Sequence, residues 1–357
     1  MIKKVMVVDD SALMRRAVSD IINSTNKYHV EFLAANGLEA IEIIDNNQDI
    51  DVILSDLNMP EMDGLDLLRH IVNNNIPIPF IMFSSDTEIK NTITALELGA
   101  IDFVKKPDVM YKDSEFAFKN KLLNAVRIAS IYKNKCDYKK VASLKSDLIN
   151  KNNQTQNSNK EPKQTVMAGD KVVALACSTG GPKALQYVIP KLPANLAAPV
   201  VIVQHMPAGF TESLAQRLDS LSEVNVKEAK DGEILQKGVV YIAKGGTHLT
   251  IIEGKIKFND EPPVVGLKPC ANLMYESLIE QSYDEIICVV LTGMGADGTS
   301  GIKNLKKAGK NIYVISQDEH SSTVYGMPKV VFENGLSDMV CDINDIAAAI
   351  VKKVGVL

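Results

Sequence analysis

The sequence predicts an α/β protein made of two doubly wound, largely parallel domains, the second carrying a β-hairpin insertion. Three observations lead there. Short β-branched apolar runs recur through both halves of the chain and alternate with stretches whose apolar residues repeat at helical spacing. Between the halves, Asn150 to Lys160 contains no apolar side chain, so this stretch has nothing to bury against the entropy of ordering it and reads as a linker. The 357 residues, 46% of them apolar, suffice for two full cores. The expected division is a first domain over 1–125, a helix end and flexible polar linker over 126–168, and a second domain over 169–357.

In the first half, Val5-Met6-Val7-Val8 reads as a strand. Ser11 then caps a helix in which Leu13, Met14, Ala17, Val18, Ile21 and Ile22 share one face. Val52-Ile53-Leu54, Phe80-Ile81-Met82-Phe83 and Ile101-Asp102-Phe103-Val104 read as further strands with helical patterns between them, and a longer helix is predicted from Ser114 to Tyr132. In the second half, the runs Val172 to Ala176, Val200 to Val203 and Ile286 to Leu291 are each short enough for a buried parallel strand. Val239-Val240-Tyr241-Ile242 and Leu249-Thr250-Ile251-Ile252 read as two arms of a hairpin around Gly245-Gly246.

Composition excludes several classes. A net charge of -5 gives no basic field for nucleic acid, and no apolar run approaches the ~20 residues of a membrane span. Asp9-Asp10 interrupts the N-terminal apolar stretch too early for a signal peptide. The five cysteines form no CxxC pair, and Cys177 and Cys288 fall in core strands. A reduced, cytoplasmic protein without membrane insertion, nucleic-acid binding or structural zinc is expected.

Asp9 and Asp10 follow the first strand and Asp56 follows another, while Ser84 and Lys106 end two more, so all should meet at the carboxyl edge of the first sheet. Three carboxylates in one crevice repel one another and suit a hard divalent cation with oxygen ligands, which points to Mg²⁺. With Met59-Pro60-x-Met62-Asp63-Gly64, this set resembles the receiver domain of bacterial two-component response regulators. The resemblance implies that Asp56 accepts a phosphoryl group, that Asp9, Asp10, Asp56 and the carbonyl of Asn58 hold the metal, that Ser84 and Lys106 sense the phosphoryl group, and that Phe103 is the switch aromatic.

Ser178, His205 and Asp297 each lie just beyond a predicted strand of the second half. A hydroxyl, an imidazole and a carboxylate at one crevice are the parts of a nucleophile, its base and the base's orienter, so serine hydrolysis is the expected chemistry, with no cofactor. Ser178 sits in Ser178-Thr179-Gly180-Gly181-Pro182, where glycines let backbone N–H groups approach an oxyanion. Among five histidines, His205 in Val-Gln-His-Met-Pro is the first choice of base. His248 and His320 stay open as alternatives, and His29 and His70 belong to the first half.

These motifs, with Tyr241-Ile242-Ala243-x-Gly245-Gly246-x-His248, Thr292 to Gly298, and Val324-Tyr325-Gly326-Met327-Pro328, resemble the catalytic domain of chemotaxis protein-glutamate methylesterases. That resemblance implies Ser178 as nucleophile, His205 as base, Asp297 as orienter and the backbone N–H of Met294 as an oxyanion donor. It further implies phosphorylation-regulated hydrolysis of glutamate methyl esters, with glutamine deamidation, on the cytoplasmic helices of methyl-accepting chemoreceptors. A chemotaxis histidine kinase would phosphorylate the receiver, which would cover the crevice until then. Family members often carry Gly-Ala before the serine; here Ala176-Cys177 places a thiol beside it. A receiver-regulated hydrolase of another acyl substrate and a non-catalytic phospho-regulated binding module remain the alternatives.

Overall fold

A computed structural model describes residues 2–47, 49–85, 88–107, 112–132 and 170–357. The expected linker from Asn150 to Lys160 lies outside the described residues. The chain divides into two compact units, Met1–Asn157 and Ser158–Leu357.

In the first unit, strands β1 (Lys3–Val8), β2 (Tyr28–Ala34), β3 (Val52–Asp56), β4 (Phe80–Ser84) and β5 (Asp102–Lys105) form a parallel sheet of order β2-β1-β3-β4-β5. Helices Ala12–Asn23, Gly37–Asn46, Gly64–Asn73, Ile89–Leu98 and Lys112–Tyr132 alternate with the strands. Ser11 caps the first of these helices, its Oγ accepting from Met14 N at 3.3 Å. Within this unit one strand escaped the sequence reading. β2 is a sheet edge whose residues alternate between half-buried and exposed, so it lacks the continuous apolar run that marks a central parallel strand.

The second unit is built on β6 (Lys171–Cys177), β7 (Val200–Gln204), β8 (Asn225–Glu228), β9 (Val239–Ile242), β10 (His248–Ile252), β11 (Lys255–Asn259), β12 (Glu285–Val290), β13 (Ile312–Gln317) and β14 (Met339–Cys341). Seven of them make one parallel sheet of order β14-β13-β12-β6-β7-β9-β8. β8, β11, β13 and β14 of this unit also escaped the sequence reading. β6 runs up the middle, buried from Val172 to Cys177. The fully buried Tyr275 reaches from the helix Ala271–Ser277 to the carbonyls of Ala174 (3.3 Å) and Val289 (3.0 Å), so one hydroxyl bridges β6 and β12.

The hairpin differs from expectation. Val239–Ile242 does not pair with the strand after Gly245-Gly246; it is buried throughout and lies parallel between β7 and β8 in the main sheet. The antiparallel hairpin is β10 with β11. Its turn is Glu253-Gly254, both at positive φ (50° and 71°), the backbone that a tight two-residue hairpin loop requires. An apolar run buried on both faces reads the same whether its partner is local or distant, which is why the pairing was misassigned. Among the described residues, no helix is long and apolar enough to cross a membrane.

Candidate active site

β6 has β7 on one side and β12 on the other, and the chain leaves β6 toward β7 and later returns to the far side at β12. The carboxyl end of β6 is therefore the point where the winding reverses, the place at which an open α/β sheet forms a crevice. Ser178 directly follows β6, His205 directly follows β7, and Asp297 lies in the Thr292 to Gly298 loop after β12. Backbone bonds join the three loops: His205 N donates to Cys177 O (3.2 Å), and Ser178 N to Thr292 O (3.0 Å). Gly293 fits tightly against the serine, since a Cβ there would stand 2.8 Å from Ser178 Cβ. Met294 follows in the same loop.

His205 and Asp297 form the side-chain pair at the centre of the site. Nε2 of His205 lies 2.8 Å from Asp297 Oδ2, both side chains are nearly buried, and Nδ1 has no hydrogen-bond partner. Asp297 is held on its other sides by Ala271 N (2.6 Å), Asn272 N (3.0 Å), Gly298 N (3.0 Å) and the Cys270 thiol (3.2 Å). Burial pushes the Asp297 carboxyl up, but the hydrogen bond and charge of His205, with the Ala271 and Asn272 amides, outweigh it and hold the group below the usual carboxylate value. A carboxylate so held stays ionised, and in the neutral imidazole it favours the tautomer with the proton on Nε2, which leaves Nδ1 as the acceptor. His248 is elsewhere: fully buried at the start of β10, with Nε2 on the Pro262 carbonyl at 3.2 Å. His320 lies in the loop after β13.

The acidic set of the first unit is gathered at the corresponding point, between β1 and β3. Asp9, Asp10 and Asp56 offer carboxylate oxygens within 4.8 Å of one another. Lys106 Nζ bridges two of them, 2.9 Å from Asp9 Oδ2 and 2.7 Å from Asp56 Oδ1. Burial raises Asp56 to about 6 against the opposing pull of Lys106. Asn58 is exposed at the same edge, its side chain bonded to Glu88. The Ser84 backbone ends β4. Phe103 is buried on β5, and Lys121 Nζ lies 4.8 Å from its ring centroid.

Residues 173–350 match the family model for the CheB methylesterase and residues 5–111 that for the response regulator receiver domain. The chain is 41% identical, over 99% of each sequence, to a protein-glutamate methylesterase/protein-glutamine glutaminase of Geobacillus kaustophilus. A protein of the same name from Bacillus subtilis is 40% identical, with 97% of each chain covered. This chain belongs to the CheB methylesterase family. It is a carboxylic ester hydrolase joined to a receiver domain, in the order that the sequence suggests. A crystal structure of the Thermotoga maritima CheB methylesterase catalytic domain is 43% identical over 52% of this chain and 100% of that chain, with a TM-score of 0.49.

Several residues that surround the candidate site were missed in the sequence. Gln204 ends β7 and bonds the carbonyls of Ser178 (3.0 Å) and His205 (3.3 Å) through its amide nitrogen. Thr292 Oγ1 donates to Thr179 O (2.9 Å), and its own backbone N–H is taken by Gln317 Oε1 (2.7 Å). Cys270 and Asn272 cradle Asp297 from a helix start far away in sequence. A polar residue at the end of an apolar strand is the one signal that could have found Gln204 and Gln317.

Proposed function

We propose that Ser178, His205 and Asp297 hydrolyse the methyl esters of glutamate side chains on chemoreceptor helices, and deamidate glutamine there by the same route. The observation that carries this reading is the His205–Asp297 pair at the winding reversal beside Ser178. Nδ1 of His205 takes the Ser178 hydroxyl proton as Oγ attacks the ester carbonyl. The oxyanion is stabilised by backbone N–H groups, with Met294 the proposed donor in the loop that packs on Ser178. His205 returns the proton to the departing methoxide, releasing methanol, and water then cleaves the acyl-enzyme under the same base. With glutamine, ammonia leaves instead.

The receiver regulates this rate through phosphorylation of Asp56 by a chemotaxis histidine kinase. Asp9, Asp10, Asp56 and the Asn58 carbonyl would hold Mg²⁺, which suits three hard oxygen donors within 4.8 Å. Bound there, the ion would offset the charge on the phosphoryl oxygens. Lys106 stands at hydrogen-bond distance from Asp56 and is placed to contact a group attached to it, with Ser84 ending the neighbouring strand. The whole reaction belongs in the cytoplasm, where receptor helices and kinase meet.

The deciding assay incubates the protein with methyl-labelled receptor membranes. Methanol release supports this reading. Turnover of small esters without methanol release favours another acyl substrate, and neither activity favours a binding module.

A further inference from the structure

Gln204 is a buried polar side chain that the chemistry above does not use. It ends β7 with only 1% of its surface exposed, although nothing about a strand end requires an amide. Every polar atom of the side chain is engaged. Oε1 accepts from the Cys177 thiol at 3.0 Å, and Nε2 donates to Ser178 O at 3.0 Å and to His205 O at 3.3 Å. The two carbonyls belong to the proposed nucleophile and to its base, which follow different strands. Gly181 leaves the space for this side chain, since a Cβ there would lie 1.9 Å from Gln204 Oε1. The Ser178 carbonyl also accepts from Gly181 N at 2.7 Å, so the same oxygen closes the turn that presents the nucleophile.

We infer that Gln204 is a positioning residue for the esterase reaction: its amide N–H groups set the Ser178 turn and the His205 backbone relative to each other. This rests on the reading of Ser178 and His205 as nucleophile and base. Cys177 completes the arrangement by fixing which end of the amide is the donor. Burial pushes that thiol far above its ordinary pKa, so it stays protonated and must donate, which turns Oε1 toward sulfur and Nε2 toward the two carbonyls. The cysteine beside the serine thus orients the amide and takes no part as a second nucleophile.

The test compares full-length Gln204→Met, Gln204→Glu and Ser178→Ala. Gln204→Met keeps the length and burial but removes both donors; Gln204→Glu keeps the acceptor for Cys177 and presents oxygen to both carbonyls. Competent sites are counted by titration with a fluorophosphonate, and rates are expressed per titrated site, so loss of folded protein does not register as slow chemistry. Both Gln204 variants are expected to lower kcat and the phosphonylation rate constant by roughly 10- to 100-fold, the scale of a small misplacement of reacting groups. KM should stay within about twofold, because substrate binding is untouched. Parent-like kcat and phosphonylation in Gln204→Met overturns the inference, and where that variant does not fold, the same result in Gln204→Glu does so. An active Ser178→Ala would sink the triad itself, whereas an inactive Ser178→Ala beside a fully active Gln204→Met removes only the role of Gln204.

Discussion

His205 meets Asp297 through Nε2, 2.8 Å from Oδ2, and this leaves Nδ1 as the nitrogen available to a nucleophile. In the chymotrypsin arrangement the two nitrogens have the opposite duties. What matters for proton transfer is that one nitrogen is held by an ionised carboxylate while the other is free to accept, and either assignment meets that condition.

Replacing Ser178 by alanine is expected to abolish methanol release from labelled receptor membranes, by about 10⁴- to 10⁶-fold, without changing the circular dichroism spectrum. Cys177 cannot substitute, because its thiol is buried and bonded to Gln204. Near-normal turnover in Ser178→Ala would reopen the choice of nucleophile.

The two buried histidines should separate cleanly. His205→Gln is expected to lose activity while remaining folded. His248→Gln should keep kcat and KM and lower the melting temperature, since His248 bonds the Pro262 carbonyl within the hairpin region. The reverse outcome would move the base to His248.

Asp297 should leave a signature in acid. Its carboxyl is held below its ordinary value, so it binds protons less readily in the folded chain than in the unfolded one. Its contribution to stability is therefore present above the unfolded pKa, near 3.8, and is lost as pH falls through the folded value. Asp297→Asn removes that contribution and should cost roughly 2 kcal/mol at pH 7, the scale of hydrogen bonds to a charged group. Urea unfolding of parent and variant should converge as pH drops below 4. Parallel curves across that range would show that the cradle of amides does not act through charge.

Asp56 has the opposite sign. With a folded pKa of about 6 against an ordinary 3.8, its carboxyl favours the folded receiver when protonated. That contribution is full below pH 4 and is lost as pH rises through about 6. In EDTA, the first unit should lose on the order of 1–3 kcal/mol between pH 4 and pH 7, and Asp56→Asn should flatten this dependence. The same variant should refuse phosphate from acetyl phosphate in Mg²⁺ while retaining the unphosphorylated hydrolysis rate. Stoichiometric labelling of Asp56→Asn would reassign the acceptor.

The candidate site was legible in the sequence to the extent that its side chains sit at strand ends. Ser178, His205 and Asp297 follow short β-branched runs, and a parallel sheet brings strand ends together whatever the loops do. The pairing of Val239–Ile242 was not legible, because burial pattern alone does not distinguish a hairpin arm from an inner parallel strand. Nor were the supports of Asp297: Cys270, Ala271 and Asn272 act through backbone amides and a thiol, groups that no residue-type pattern announces. The edge strand β2 was hidden by its exposed His29, Glu31 and Leu33. In each case the missing information is which distant segment lies alongside, a property of the assembled sheet.

The central place of β6 also sets a timetable for the nascent chain. One neighbour, β7, emerges soon after β6, but β12 follows roughly a hundred residues later, a delay of about 5 to 20 s at ordinary rates of synthesis. Through that interval the other edge of a strand that is apolar from Val172 to Cys177 stands bare and open to mispairing. Ser178 and His205 already exist then, yet the carboxylate that would arm them does not. On the proposed reading, full hydrolytic power arrives only when the last central strand joins the sheet and brings Asp297 to His205.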